Sequence, residues 1–162
     1  MQRDYHSGFT LIELITVITI IGVLAVVVGP RFSSSTVFEE RTFFDDLAQA
    51  VRYTQAKAMG TGCLAQIAFT TNGFTVTVDS DCNSSAFSGV AVTNPDGFAT
   101  GYTERQALPA GSSVSASVNP LLFDPQGRAL NSSLNIVPGN AQITVGSRTL
   151  RVAGATGYVY QP

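Results

Sequence analysis

The sequence is poor in the side chains on which most catalytic and metal sites depend. Its 162 residues include one histidine, His6, two cysteines and no tryptophan. A zinc site needs three or four His, Cys or carboxylate ligands, and acid–base catalysis near neutral pH most often uses histidine. The inventory therefore argues against a zinc enzyme and against a histidine-dependent enzyme.

Charge is also scarce. Only 12% of the residues are charged while 44% are hydrophobic, and nine Lys+Arg against eleven Asp+Glu leave a net charge of −2. A general nucleic-acid-binding surface needs an excess of basic residues, which this balance does not provide. The length suits a single domain, and the apolar content excludes disorder.

No residue from Leu14 to Pro30 carries a charge, and this stretch is dominated by Ile, Val and Leu. Extended back to Phe9, it comprises about 22 residues, which measure roughly 33 Å as an α-helix against about 30 Å of bilayer hydrocarbon. In lipid a helix satisfies every backbone group within one segment, which overrides the poor helix propensity of the β-branched residues. We therefore predict a transmembrane helix over residues 9–30.

A cleaved secretory signal is the alternative interpretation of this segment. Its charged region is short and mixed, because Arg3 is followed directly by Asp4. No small-x-small cleavage pattern ends the apolar run, which stops at Gly29-Pro30-Arg31. Both features favour an anchor that is retained.

Glu13 is an acidic residue at the edge of the apolar run. An ionised carboxylate in hydrocarbon costs on the order of 3 kcal/mol, so an acid in this position predicts a function. No Lys or Arg lies one or two helical turns away, so a partner must come from another chain, a terminus or interfacial water. The alternative is that Glu13 reaches the membrane interface and has no further role.

A recognisable motif surrounds this acid. Residues Gly8-Phe9-Thr10-Leu11-Ile12-Glu13-Leu14, after a leader of residues 1–8, resemble the class III signal of type IV pilins and type II secretion pseudopilins. The resemblance implies that a prepilin peptidase cuts after Gly8 and methylates the new amino group of Phe9. It also implies that Glu13 compensates this ammonium on a neighbouring subunit, so that residues 9–30 form the filament core. Such a pairing is physically sensible because each charge relieves the desolvation of the other.

The same resemblance implies location and partners. The leader would lie in the cytoplasm, and the chain would be a single-pass inner-membrane protein with its head in the periplasm before it enters a cell-surface pilus. The expected partners are other pilin subunits, the prepilin peptidase, an inner-membrane assembly platform and membrane lipid. No catalytic residue, cofactor or metal is expected.

Residues 31–60 have the pattern of an amphipathic helix. Phe44, Leu47, Val51 and Ala58 recur at spacings of three, four and seven, with charged residues between them. Pro30 should kink or break the rod between the two helices, and Gly60 should end the second one.

Residues 61–162 predict a β-rich globular head, because Gly, Ser, Thr, Val and Asn alternate in short stretches separated by turns. The amphipathic helix is the natural cover for one face of its sheet. The fold class is thus α+β, a long N-terminal helix packed on an antiparallel β-sheet head, as in the pilin fold. The predicted strands are Leu64–Phe69, Phe74–Val78, Gly89–Thr93, Ser113–Val118, Leu121–Phe123, Gln142–Val145, Thr149–Val152 and Tyr158–Tyr160.

Three groups of polar residues remain in the head. Cys63 and Cys82 would lie on the oxidising side of the membrane and predict a disulfide, with two free buried thiols as the alternative. Asp79 and Asp81 lack a complete calcium loop and are interpreted as solvated turn carboxylates. The remaining group consists of candidates for a binding patch, Arg128, Arg148 and Arg151. The head from Thr61 has four basic and five acidic residues, so DNA binding is not expected. The three arginines are instead interpreted as solvated residues at strand ends.

The subfamily is indicated by two further similarities. Residues 30–35, 38–40 and 55–59 are similar to the C-type minor pilin of mannose-sensitive haemagglutinin (MSHA) pili. The Phe123–Arg128 turn, Arg148–Val152 and Gly157-Tyr158-Val159 resemble H-type pseudopilin and FimT-like heads. The leading hypothesis is a structural minor pilin of an MSHA-like type IV pilus that primes or caps the filament or mediates adhesion. The alternatives are an H-type pseudopilin of a type II secretion system, and a DNA-uptake minor pilin or other anchored binding module.

Overall fold

The structure is a computed structural model, and it describes residues 9–28, 35–82, 87–95, 101–104 and 107–162. The chain divides into two units, one ending at Thr36 and the other beginning at Val37. Within the described residues, two helices precede ten short strands that pair only in antiparallel fashion. The predicted α+β class, with N-terminal helix and antiparallel head, is confirmed.

The first helix, α1, spans Leu11–Val28 and lies within the predicted segment 9–30. Its large apolar side chains from Leu11 to Leu24 are exposed. In the part of the chain that the structure describes, no helix has both the length and the apolar character needed to cross a bilayer. The transmembrane role of residues 9–30 stays a prediction, and Pro30 lies outside the described residues.

The second helix, α2, spans Ser35–Thr61 and begins within the Ser/Thr run that follows Pro30. The predicted apolar stripe of Phe44, Leu47, Val51 and Ala58 is buried, and it is widened by further side chains on the same face. A polar residue shares this face. The buried Thr54 hydroxyl donates to the Ala50 carbonyl at 2.7 Å, so the helix itself satisfies it.

The strands form two sheets rather than the single sheet expected from the sequence. Sheet A has the order β3-β2-β1-β6-β7, with β4 also pairing with β2, and sheet B has the order β10-β9-β8-β5. The strands are β1 (Ala65–Phe69), β2 (Phe74–Asp79), β3 (Gly89–Ala91), β4 (Tyr102–Thr103), β5 (Val114–Ala116), β6 (Leu121–Phe123), β7 (Ala129–Leu130), β8 (Asn140–Val145), β9 (Arg148–Ala153) and β10 (Val159–Tyr160).

One hydrophobic core joins α2 to both sheets. In sheet A, Ile67 is paired with Val76 on one side and Leu121 on the other, and all three are buried. In sheet B, Ile143 pairs with Leu150 across the β8–β9 hairpin, and both belong to the cluster that contains the buried stripe of α2. The helix stripe therefore covers two sheets at once, which is why a single covered sheet was the wrong expectation.

The outer face of sheet A carries a second, smaller cluster. Successive side chains along β1 and β6 point to opposite faces of the sheet. The two residues of β6 that flank Leu122 point into the main core, so Leu122 points to the outer face. Leu122 packs with Leu64 and Leu130, and Phe87 and Leu134 cover them in part. This outer cluster is a feature that the sequence pattern did not predict.

The disulfide predicted from the sequence is present between Cys63 and Cys82, whose Cα atoms are 4.6 Å apart. It ties the segment after α2 to the segment after β2, across a sequence separation of 19. Closing a loop of that length restricts the unfolded chain and stabilises the folded one by about 3 kcal/mol.

Replacing both cysteines by serine is expected to lower the free energy of unfolding by about 3 kcal/mol. Urea denaturation of the full chain in detergent, followed by circular dichroism, measures the change. Reduction of the wild-type protein should produce the same loss, and a double variant as stable as the wild type would contradict a stabilising role for the bridge.

Candidate functional site

The N-terminal end of α1 brings Thr10 and Glu13 together. The backbone N–H of Glu13 donates to the Thr10 hydroxyl oxygen at 3.3 Å. In return, Glu13 Oε2 accepts hydrogen bonds from the backbone N–H of Thr10 at 3.4 Å and from its hydroxyl at 3.3 Å. The Leu14 N–H donates to the Thr10 carbonyl at 3.2 Å, which makes Thr10 the N-cap and Glu13 the third helical residue. The arrangement is a capping box.

This capping role of Glu13 was missed in the sequence, although its signal was present. Thr10-Leu11-Ile12-Glu13 fits the pattern of Ser/Thr followed three residues later by Glu, immediately before an apolar run. The carboxylate also lies at the N-terminal end of the helix, where an acidic side chain stabilises the helix through its dipole. Glu13 thus has a structural function within its own chain, beside the intermolecular function that the resemblance implies.

Two threonines inside α1 do not interrupt its apolar surface. The Thr16 hydroxyl donates to the Glu13 carbonyl at 2.9 Å, and the Thr19 hydroxyl donates to the Ile15 and Thr16 carbonyls at 3.0 and 2.8 Å. Hydroxyls bonded back to their own helix can enter an apolar environment without an unsatisfied donor. The described surface of α1 therefore combines one carboxylate at its N-terminal end with exposed aliphatic side chains.

The other predicted processing residues lie beside this cap. Phe9 directly precedes the capping box and is 83% exposed. Gly8, the residue after which cleavage is expected, lies outside the described residues, as does Pro30. Among the predicted site residues, the structure therefore places Phe9 and Glu13 at one helix end, and Cys63 and Cys82 in the head.

Arg128 directly precedes β7 and its side chain is 44% exposed, as expected of a solvated strand end, but it also pairs with a carboxylate. Its Nε donates to Asp124 Oδ2 at 2.6 Å, and this carboxylate is almost fully buried. Asp124 Oδ1 also accepts the backbone N–H groups of Gln126 and Arg128, at 3.1 and 2.8 Å. The pair stabilises the predicted turn between β6 and β7, in which the Gly127 N–H donates to the Asp124 carbonyl at 2.8 Å.

The three candidate arginines do not share one sheet. Arg128 follows β6 of sheet A, whereas Arg148 and Arg151 lie on β9 of sheet B. Arg151 is opposite Tyr160 of β10 in the register. The topology therefore gives no single basic strand or sheet on which the three would act together.

The expectation of a solvated carboxylate at Asp79 is wrong. Asp79 is only 3% exposed, and its Oδ1 accepts the backbone N–H of Ser88 at 3.0 Å, where the chain returns toward β3. Its function is to hold this returning segment. In the described ranges, no three His, Cys, Asp or Glu side chains gather in a way that would hold a metal ion.

Comparison with known proteins connects the helix cap to a processing signal. Residues 3–29 match the family model described as the prokaryotic N-terminal methylation motif. The fold is similar to a crystal structure of the type IV minor pilin FimU of Pseudomonas aeruginosa strain PAO1. That match has 12% identity and a TM-score of 0.53, and covers 76% of this chain and 88% of FimU. The chain thus has a prokaryotic N-terminal methylation motif and a fold like that of FimU.

A second crystal form of the same FimU aligns with this pilin-like chain at 13% identity and a TM-score of 0.44, over 73% of this chain and 88% of that one. No curated protein matches the sequence significantly. The motif match includes Gly8, Phe9, Thr10 and Glu13, so the capping box lies inside the signal.

Proposed function

We propose that the protein is a minor pilin, a structural subunit that enters a type IV pilus through its N-terminal helix. The observation that carries this proposal is the methylation motif over residues 3–29, with the carboxylate of Glu13 at the start of an otherwise uncharged helix. The pilin-like head and its similarity to FimU, itself a type IV minor pilin, support it.

Before assembly, residues 9–30 anchor the chain as a single pass in the inner membrane, with residues 61–162 in the periplasm. A prepilin peptidase removes residues 1–8 after Gly8 and methylates the amino group of Phe9. The exposed aliphatic surface of α1 supports the membrane anchoring, since lipid or neighbouring helices would remove this surface from water. An assembly platform then transfers the subunit from membrane to filament.

In the filament, the α1 helices pack in parallel, and Glu13 of one subunit faces the Phe9 ammonium of the next. The cap geometry supports this arrangement because Glu13 Oε2 accepts only from Thr10 in the described structure, at distances of 3.3 and 3.4 Å. These are long hydrogen bonds. A cation can therefore approach the carboxylate while the Glu13 N–H stays bonded to the Thr10 hydroxyl.

An MSHA-like pilus is the system that we propose, with a function in priming or capping the filament or in adhesion. The similarity of residues 30–35, 38–40 and 55–59 to the C-type MSHA minor pilin supports it. An H-type pseudopilin of a type II secretion system is the second candidate. It is favoured by the ordered Asp124–Arg128 turn, which belongs to the residues that resemble H-type heads.

The proposal is tested by locating the protein in cells that make the pilus. Filaments sheared from the surface should contain the chain as a minor component, and its amount should fall to background when the prepilin peptidase gene is deleted. Protein that stays entirely in the membrane fraction of piliated cells, with filaments free of it, would contradict the proposal.

A further inference from the structure

A cavity of about 700 Å³ lies on the outer face of sheet A, beside the turn between β6 and β7. Leu64 and Leu130 lie beneath it and are only 5% exposed, so the protein already covers them. The side chains that a ligand would meet come from the turn and from the segment after β7, and they are Gln126, Arg128, Asn135 and Ile136. Three of these four are polar, which favours a hydrophilic ligand. The volume is typical of pockets that bind small molecules.

Arg128 is held in place at this cavity. Its Nε donates to Asp124 Oδ2 at 2.6 Å, and Asp124 is only 4% exposed. The backbone N–H groups of Gln126 and Arg128 donate to the other oxygen of the same carboxylate, so three donors compensate its charge. A guanidinium that is already fixed by a buried partner loses less side-chain freedom when it binds a ligand. Arg128 is therefore preorganised for binding.

One edge of the Arg128 guanidinium is open to the cavity. The group has five N–H donors in a planar fork. Within the described residues, its two terminal nitrogens make one contact, from Nη2 to Gln126 Oε1 at 3.4 Å, which is long for a hydrogen bond. The side chain remains 44% exposed. Two parallel N–H groups match the two oxygens of a carboxylate, so a carboxylate is the group that this edge would bind best.

The neighbouring side chains suit hydroxyl groups. The backbone of Asn135 is fixed at the wall, because its N–H donates to Asn131 Oδ1 at 3.1 Å and its carbonyl accepts the Asn131 N–H at 2.9 Å. In the part of the chain that the structure describes, the Asn135 side-chain amide has no hydrogen bond. An amide both donates and accepts, as a hydroxyl does, and Gln126 provides a second one. Ile136, which is 44% exposed, adds a single aliphatic surface of the kind that packs against the C–H groups of a sugar ring.

We propose that this cavity binds a hexuronic acid residue of an acidic polysaccharide. Its carboxylate pairs with the terminal nitrogens of Arg128, and its hydroxyls bond to the amides of Gln126 and Asn135. The site is complete within one chain, so it suits a subunit that does not repeat along the filament. The inference gives the proposed adhesion a ligand class and rests on the proposed function in that respect, although binding itself depends on the head alone.

Saturation-transfer NMR with D-glucuronate tests the inference on the purified full chain in detergent. Glucuronate should bind about tenfold or more tightly than D-glucose, which has a hydroxymethyl group in place of the carboxylate. It should exceed acetate by a similar factor, since acetate has the carboxylate but no hydroxyls to meet the amides.

A matched pair of variants tests the position of the site. Asn135→Asp retains the size of the side chain and the backbone hydrogen bonds to Asn131, but places a negative charge beside the bound carboxylate. It should weaken glucuronate binding about tenfold or more and leave glucose unaffected. Asn72→Asp makes the same change of charge at an exposed residue in the turn after β1, at the opposite end of that strand from Leu64. It should stay within about twofold of the parent in about 0.15 M salt, where charges beyond roughly 8 Å are screened.

Equal affinities for glucuronate and glucose would overturn the inference, and so would acetate that binds as tightly as glucuronate or an equal loss in the two variants. The amide of N-acetylglutamate binding more tightly than glucuronate would identify an acidic peptide as the ligand instead. The assay needs no filament, which separates its failure from that of the proposed function. A chain that enters filaments but does not bind glucuronate refutes only the ligand, whereas one that binds glucuronate but stays out of filaments refutes only the pilus function.

Discussion

Replacing Glu13 by glutamine is expected to remove the protein from filaments while its head remains folded. Glutamine can occupy the third position of a capping box, so the hydrogen bonds between this residue and Thr10 can persist. The substitution removes only the negative charge. It therefore separates the two functions of this residue, the cap that the structure contains and the charge pairing that the proposed assembly requires.

The expected effect is large because one partner of a buried pair would be stranded. Removing one member of a buried ion pair typically costs about 3–5 kcal/mol, which corresponds to more than a hundredfold change in an association constant. A lost N-cap costs only about 0.5–2 kcal/mol. Loss of charge should thus reduce filament incorporation far more than loss of the cap.

Immunoblots of sheared filaments and of membranes measure incorporation for a small set of variants. Glu13→Asp retains the charge and should incorporate better than Glu13→Gln. Thr10→Val removes the hydroxyl of the cap, leaves the carboxylate in place, and should incorporate nearly as well as the wild type. Normal incorporation of Glu13→Gln, together with a defect in Thr10→Val, would show that the cap is the function of Glu13 and would refute the charge pairing.

A large loss of head stability is expected from Gly157→Ala. Gly157 has a φ of +64°, and a Cβ there would collide with the Gly127 carbonyl oxygen and the Gln55 side chain. Neither can withdraw easily, because Gln55 Nε2 donates to the Gly127 and Thr156 carbonyls at 2.9 and 3.0 Å and so joins two loops to α2. We expect a loss of about 4 kcal/mol or more in the free energy of unfolding.

Gly139→Ala is the matched control for this substitution. Gly139 has a similar φ of +71°, but a Cβ there would meet nothing within 4 Å. It should lose only the cost of placing an L-residue in the left-handed region, about 1–2 kcal/mol. Urea denaturation of both variants measures the difference, and equal losses would contradict the close packing of the Gly127 and Gly157 loops against Gln55.

The local elements of this fold could be predicted from the sequence because their periodicities are strong. The stripe of α2 repeats every three to four residues, and its members are buried as predicted. The turn at Gly146-Ser147 connects β8 to β9 in register, with Val145 opposite Arg148. Strand ends differ from the prediction by one or two residues, as at Gly89–Ala91, because alternation fades gradually where pairing stops.

The pairing of strands could not be predicted, since alternation defines which residues face inward but not which strands are neighbours. The strands β4 and β7 have two residues each and show no alternation. The outer cluster was equally hidden, because Leu64 and Leu134 come from distant parts of the chain and meet only on the outer face of sheet A. The sequence around Asp79 is typical of a turn. The residue is buried because the chain comes back beside it, where the Ser88 N–H donates to its carboxylate.

The most direct test of the central proposal is the mass of the N-terminal peptide of the protein extracted from cells that make the pilus. The account predicts a chain that begins at Phe9 with one methyl group on its amine, since the motif places the cleavage after Gly8. A mature protein that retains Met1, or one that begins after Pro30 as a cleaved secretory signal would leave it, would contradict the account.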